Sequence, residues 1–275
     1  MIWDVPHHRG AGFPLAILRP AGAYLVLAQL CERPRQSRAD LLDRLAESNA
    51  ADVPFVGLRE LSDAMVSGTL SYLRSTGLIA WYGSGGLGIH TRYRATSLGR
   101  GLIGALRPIT EWAMADVAFV VSATRVRFDL PPLDHPVATG SLSQRSATGL
   151  ALGLLSGVWS DTVMVYIDSA GPDGIGMVAL ENTVNAAIDA SSGKNQVVKH
   201  LHRDSLSRHL HRLVAKGLLA RVEDPPRVWY MLTSHGRGLM DAWWQVSDGW
   251  AMAHDAELFE IMARVTNWFP RASET

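Results

Sequence analysis

Apolar residues return every three or four positions along most of the chain, the spacing of helices that bury one stripe. Within 203–216 the stripe is Leu206, Leu210, Leu213 and Val214, and Gly217 stands where a helix C-terminus favours a left-handed residue. Two shorter runs follow, 218–222 and 227–232, on either side of Glu223-Asp224-Pro225-Pro226, a pattern that predicts a β-hairpin. Thr233 or Ser234 then caps a long last helix through Met240, Trp244 and Trp250. Upstream, 147–167 is apolar enough to predict one buried helix running through Trp159, and 179–190 a second helix stopped by Ser191-Ser192-Gly193. The first half predicts the same order. Helices over 22–30, 37–47 and 62–75 end at Gly77, a hairpin of 78–82 and 89–95 spans the glycine-rich 83–88, and a helix runs from Ser97 past Trp112 toward Val121.

That parallel extends to the letters. Trp112-Ala113-Met114-Ala115 recurs 138 positions later as Trp250-Ala251-Met252-Ala253. Gly77-Leu78 recurs 140 positions later as Gly217-Leu218, and Gly99, Gly101 and Leu102 recur 137 positions later as Gly236, Gly238 and Leu239. Landmarks at nearly constant offset mean one structural unit written twice. Between the copies, Pro131, Pro132 and Pro136 fall in a stretch that cannot continue a helix. We therefore expect a first domain over 1–125, a proline-rich linker over 126–142 and a second domain over 143–275. A length of 275 residues suits two such domains. Three helices, a two-stranded wing and a helix is the order of a winged helix-turn-helix, so the expected class is mainly α with small β-hairpin wings, twice in tandem.

The run Pro225-Pro226-Arg227-Val228-Trp229-Tyr230-Met231-Leu232-Thr233-Ser234-His235-Gly236 resembles the HxlR-type winged-helix transcriptional regulators. In that family Pro-Pro-Arg-Val-x-Tyr-x-Leu-Thr-x-x-Gly forms the second wing strand and enters the last helix. Leu213, Gly217, Leu218 and Arg221 are similar to the end of the family's recognition helix and the start of its wing. Gly157-Val158-Trp159 is similar to its opening Gly-Lys-Trp without the lysine, and Trp250 with His254 fits its last helix. The resemblance covers 150–255 well and 20–120 more loosely, with Tyr24 standing for Trp159 and no Pro-Pro in the first wing. Trp159 to Gly217 is 58 positions and Tyr24 to Gly77 is 53, both longer than the family's usual span, so residues are inserted ahead of each recognition helix. Family members resemble one another in pairing as homodimers through their terminal helices. By that resemblance this chain is a fused pseudo-dimer, able to act as a monomer or to pair again as a homodimer. The function implied is a DNA-binding transcriptional regulator, a repressor in the first instance.

Charge adds an asymmetry. The formal net charge is zero, yet 194–237 carries nine Lys/Arg against three acids, a local +6, with five histidines besides. With the apolar stripe inward, Asp204, Ser205, Arg208, His211 and Arg212 face outward, and Arg208 and Arg212 stand one turn apart, as bidentate contact with guanine or phosphate requires. Arg203 opens this helix, and Arg221 and Arg227 flank the wing. The equivalent positions in the first half are Ala64, Met65, Gly68, Ser71 and Tyr72, none cationic. Counterion release from Lys and Arg supplies most non-specific affinity for DNA, so this helix lacks the usual grip. Met65 and Tyr72 are expected to face solvent or a partner. Positive charge in the first half lies instead at Arg33, Arg35 and Arg38 and on the wing at His90, Arg92 and Arg94. Duplex DNA is thus the expected partner, held mainly by the second half, with Arg92 and Arg94 as the first half's contribution. The rival reading is a ligand-sensing or protein-interaction module that has lost DNA binding.

Other features change the picture less. At 47% hydrophobic and 19% charged the composition is globular. His200, His202, His209 and His211 lack the three- or four-residue spacing that places two ligands on one helix face, so no metal and no other cofactor is expected. Trp112, Trp159, Trp243, Trp244 and Trp250 fall on helices expected to meet between the domains. They read either as a packed interface or, at Trp112, Trp159, Trp244 and Trp250, as a pocket for a small aromatic effector. Cys31 is the single cysteine, which excludes an intramolecular disulfide, and its place inside the first unit does not support thiol sensing. The glycines of 83–88 precede no Lys-Ser/Thr and read as a wing tip, and no catalytic motif is found. The start Met1-Ile2-Trp3-Asp4 lacks a secretory pattern and no apolar run approaches a membrane span, so a cytoplasmic protein without a membrane partner is expected.

Overall fold

The computed structural model describes residues 18, 22–56, 62–82, 91–135, 137–138, 140–155, 159–191, 200–225, 227–254 and 256–257. The wing tip at 83–88 with Ile89 and His90, the stop at Ser192-Gly193, Gly157-Val158, Pro226, and Lys194 and Lys199 lie outside them. The described chain is mainly helical with two small antiparallel sheets. Its first copy comprises α1 (Ala23–Glu32), β1 (Gln36–Ser37), α2 (Arg38–Val56), α3 (Asp63–Ser75), β2 (Ile79–Tyr82), β3 (Arg92–Ala95) and α4 (Ser97–Ala105). Then come α5 (Arg107–Ala115), α6 (Val117–Arg127) and α7 (Gln144–Leu155). The second copy comprises α8 (Ser160–Ser169), β4 (Ile175–Gly176), α9 (Met177–Ser191), α10 (Arg203–Ala215), β5 (Leu219–Asp224), β6 (Arg227–Leu232), α11 (Ser234–Val246) and a π-helical segment, Ser247–Ala251.

The two copies share local geometry as well as order. Gly77 and Gly217 take φ of 72° and 74°, and each ends its helix with a bond from the following leucine back five residues, Leu78 to Leu73 and Leu218 to Leu213, both 3.0 Å. This is the Schellman closure, and a β-carbon at such φ is strained. The Thr96 hydroxyl donates to the Gly77 carbonyl (2.8 Å) and accepts from the Gly99 amide (3.2 Å). Thr233 does the same with Gly217 (2.7 Å) and Gly236 (3.1 Å). One hydroxyl thus closes the end of one helix and caps the start of another. Both sheets have three strands. β3 lies between β1 and β2, and β6 between β4 and β5. The third strands escape sequence patterning because two residues have no period. The turn Gly171-Pro172-Asp173-Gly174, with φ of 81° and 72° at its glycines, is the one local signal for β4.

Two long helices expected from the apolar pattern are broken. The run 147–167 is α7 and α8, bent by 79°, with Trp159 at φ −123° and ψ −2° outside the helical region as the N-cap of α8. The run from Ser97 toward Val121 is three helices. Pro108 in the first turn of α5 withholds the amide that would continue α4. Asp116, at φ −142° and ψ 73°, leaves the helical path and accepts the Phe119 amide to start α6. Burial of an apolar stripe is blind to these interruptions, because each fragment still faces the core.

The breaks let the halves interlock. α7 follows the proline-rich segment yet lies against α1, α5 and α6, tied by Arg145 to Gln29 and Glu32 and by Thr148 to Thr110 at 2.7 Å. α5 packs on α11, while the π-helical segment packs on α4. The two repeated tryptophans cross in that exchange. A β-carbon on Gly238 would stand 3.0 Å from the Trp112 ring, and one on Gly101 3.0 Å from Trp250 Nε1. Each copy's tryptophan covers the other copy's glycine, the reciprocity of an isologous interface within one chain.

A second cross-contact joins α6 to the start of α11. The His235 ring stacks on Phe119 (centroids 3.8 Å apart, planes 6° apart) and its Nε2 lies 3.0 Å from Asp116 Oδ2. The Phe119 amide first, and His235 second, hold the Asp116 carboxyl below the usual range. A depressed carboxyl contributes stability that is present above its unfolded value of about 3.9 and lost as pH falls through the folded one. Asp116→Asn should therefore cost under about 1 kcal/mol of stability at pH 7, for a half-exposed pair. The same change should flatten the decline below about pH 4 in thermal melts. An unchanged acid limb would remove Asp116 from the linkage.

Candidate nucleic-acid interface

α10 buries Leu206, Leu210 and Leu213 completely and exposes Asp204, Arg208, His211 and Arg212. Ser205 is half-buried. Arg208 Nε folds back to the Asp204 carbonyl of its own helix at 3.3 Å, whereas the side chains of His211 and Arg212 make no hydrogen bond or ion pair among the described residues. Arg203 is exposed but tethered, with Nε 3.1 Å from Glu181 Oε2 on α9. On the wing, Arg221 pairs with Glu223 of its own strand. Arg227, opposite Asp224 in the ladder, is exposed. The arginines expected at this surface are therefore outside the core, with Arg208, His211 and Arg212 forming one continuous patch along the helix.

The corresponding face of α3 differs by more than its missing cations. Ala64, Met65 and Gly68 are exposed and Ser71 is half-buried. Tyr72, expected to face outward, is instead 4% exposed and part of the core. The position sits at the edge of the buried stripe, where side-chain chemistry decides. An aromatic ring gains by turning inward, whereas the guanidinium of Arg212 at the equivalent site stays hydrated.

An ion pair that the sequence pattern did not reveal widens the contrast. In the first copy Arg38 at the start of α2 holds Asp63 at the start of α3 (3.1 Å) and Ser67 (3.0 Å). In the second copy the same joint between helices is Glu181 with Arg203, so the sign at the start of the third helix is reversed. Arg92 is engaged with the Arg35 carbonyl at 3.1 Å. Arg94 lies over the Tyr82 ring at 4.2 Å, a cation–π contact. Both remain exposed on β3.

The four candidate pocket tryptophans each have contacts of their own. Trp112 and Trp250 fill the reciprocal glycine contacts, with Trp112 edge-on to Phe119 at 6.1 Å and Trp250 stacked on His254 at 5.0 Å. Trp244 Nε1 donates to Asp168 at 2.8 Å, and Trp159 stands at the N-cap position of α8 without a side-chain capping bond. Burial pushes the Cys31 thiol up to about 11, the opposite of the shift that makes a thiolate reactive. Among the described residues no single helix is long and apolar enough to cross a membrane. Compared with known protein families, with curated proteins and with solved structures, the chain matches none.

Proposed function

We propose that this protein is a DNA-binding transcriptional regulator of the HxlR type, built as two winged helix-turn-helix units in one chain. Reading of duplex DNA is assigned chiefly to α10 and the β5–β6 wing. The observation that carries the proposal is the exposed patch of Arg208, His211 and Arg212 on α10, with exposed Arg221 and Arg227 on the adjoining wing. A helix presented beside a β-ribbon, cationic on its free face and apolar on its buried face, suits a major groove flanked by phosphates. The crossed Trp112–Gly238 and Trp250–Gly101 contacts support a pseudo-dimer in which one chain supplies both units. A protein-interaction or sensor role for the first unit is favoured by the uncharged exposed face of α3, where Met65 is 38% exposed.

Titration of a labelled duplex from the gene's own upstream region by fluorescence anisotropy tests the proposal. Four or five neutralised phosphates give a slope of log K against log salt of about −4, at roughly −0.9 per phosphate. Absence of saturable binding at low salt would refute it in favour of the interaction module.

A further inference from the structure

A cleft of about 420 Å³ opens where the end of α6, from the first half, meets the start of α8 and the last turns of α10. Its polar lining is Arg127, Ser160, His209, Arg212 and Lys216, with no carboxylate among the described lining residues. Two of the cations already have a structural duty. Arg127 Nη1 donates to the Gly153 carbonyl at 2.6 Å and Lys216 Nζ to the Leu154 carbonyl at 2.8 Å, so both meet the C-terminal end of α7. A helix end offers only about half a negative charge, against the three cations of Arg127, Arg212 and Lys216. Positive charge is in surplus. Lys216 is 8% exposed, and burial first, then Arg127 and Arg212, bring its ammonium down to about 8. Burial first, then Arg212 and Arg208, likewise lower His209, which favours the neutral ring on this wall.

The opposite wall points to a ligand independently. Ser160 is 4% exposed, lines the cleft, and its hydroxyl has no hydrogen-bond partner among the described residues. It opens the ten-residue α8, whose N-terminus has no side-chain cap from Trp159. Asp161 Oδ1 already takes the Thr162 amide at 2.8 Å, so on this wall it is the Ser160 hydroxyl, open to the cleft, that is placed to donate to an anion. Val126 and Ala215 complete the lining with apolar surface.

We propose that this cleft binds a small organic anion, with a carboxylate or phosphate monoester head held by Arg212, Lys216 and Ser160 and a compact apolar body against Val126 and Ala215. The volume lies within the roughly 300–1,000 Å³ of small-molecule sites. The proposal stands whether or not α10 binds DNA, because it concerns only groups around the cleft. Calorimetric titration of the full chain with phenyl phosphate and with benzoate tests it. The expected result is saturable one-to-one binding, weakened about tenfold or more by Arg212→Ala or Ser160→Ala and lost in Lys216→Gln. The tighter of the two probes identifies the head group. Lys216→Gln also removes a cap on α7. If that variant fails to fold, the two milder variants decide, since neither residue supports another part of the described structure. No saturable binding of either probe, or equal affinity in wild type, Arg212→Ala and Ser160→Ala, would overturn the proposal.

Discussion

Replacing Arg208 and Arg212 together by alanine is expected to reduce DNA affinity by about 100-fold or more, each bidentate base or phosphate contact being worth about 1–3 kcal/mol. Both side chains are exposed on α10 and neither anchors another element, so circular dichroism and thermal midpoint should stay near wild type. The salt slope should flatten by about 2 if both contact phosphates. The matched control is Met65→Ala with Gly68→Ala on α3. Met65 is exposed and a β-carbon on Gly68 meets nothing within 4 Å. Changing Tyr72 would not serve, since its burial would confound binding with folding. That pair should leave affinity within about twofold, because no charge is removed. Equal losses from the two faces would sink the assignment of DNA reading to the second half.

Gly236→Ala should destabilise the fold by about 3 kcal/mol, and Gly99→Ala by a similar amount, as the cost of forcing atoms into a packed core. At Gly236 a β-carbon would overlap the Leu218 carbonyl, and at Gly99 the Leu78 carbonyl. Both obstructions are backbone atoms that also accept hydrogen bonds from Thr233 and Thr96. Retreat of either chain would therefore break the cap as well. Gly68→Ala carries the opposite expectation, a gain of about 0.5–1 kcal/mol from helix propensity at an open site. Urea unfolding midpoints compare the three directly. A wild-type midpoint for Gly236→Ala would mean that the helix and strand do not approach as closely as the structure places them.

These glycines also mark how far the chain can be read without coordinates. Gly77 and Gly217 as helix stops, Thr233 as a cap, and the spacing of Leu206, Leu210 and Leu213 depend on contacts within a few residues, so local pattern reveals them. The exposed cations of α10 follow from the same helical geometry. Tyr72 and the split helices do not. Whether an edge residue turns inward depends on what lies opposite it, and Asp116 redirects the chain by bonding an amide three residues on and a histidine from the other half. The pairing of Arg38 with Asp63 and of Glu181 with Arg203 joins residues more than twenty positions apart, beyond any helical period.

What the sequence by itself determined is the repeated unit and the unequal charge of its copies, because periodicity, glycine stops, caps and residue identity are properties of short stretches of chain. Only the tertiary structure decided how the copies meet. Trp112 covers Gly238 while Trp250 covers Gly101, and α7 crosses to lie against the first half's helices. Arg127, Ser160 and Lys216 come together around one cleft from three separate helix ends. Those neighbours are set by packing, which joins residues according to the shape and charge of whole surfaces and leaves no periodic trace along the chain.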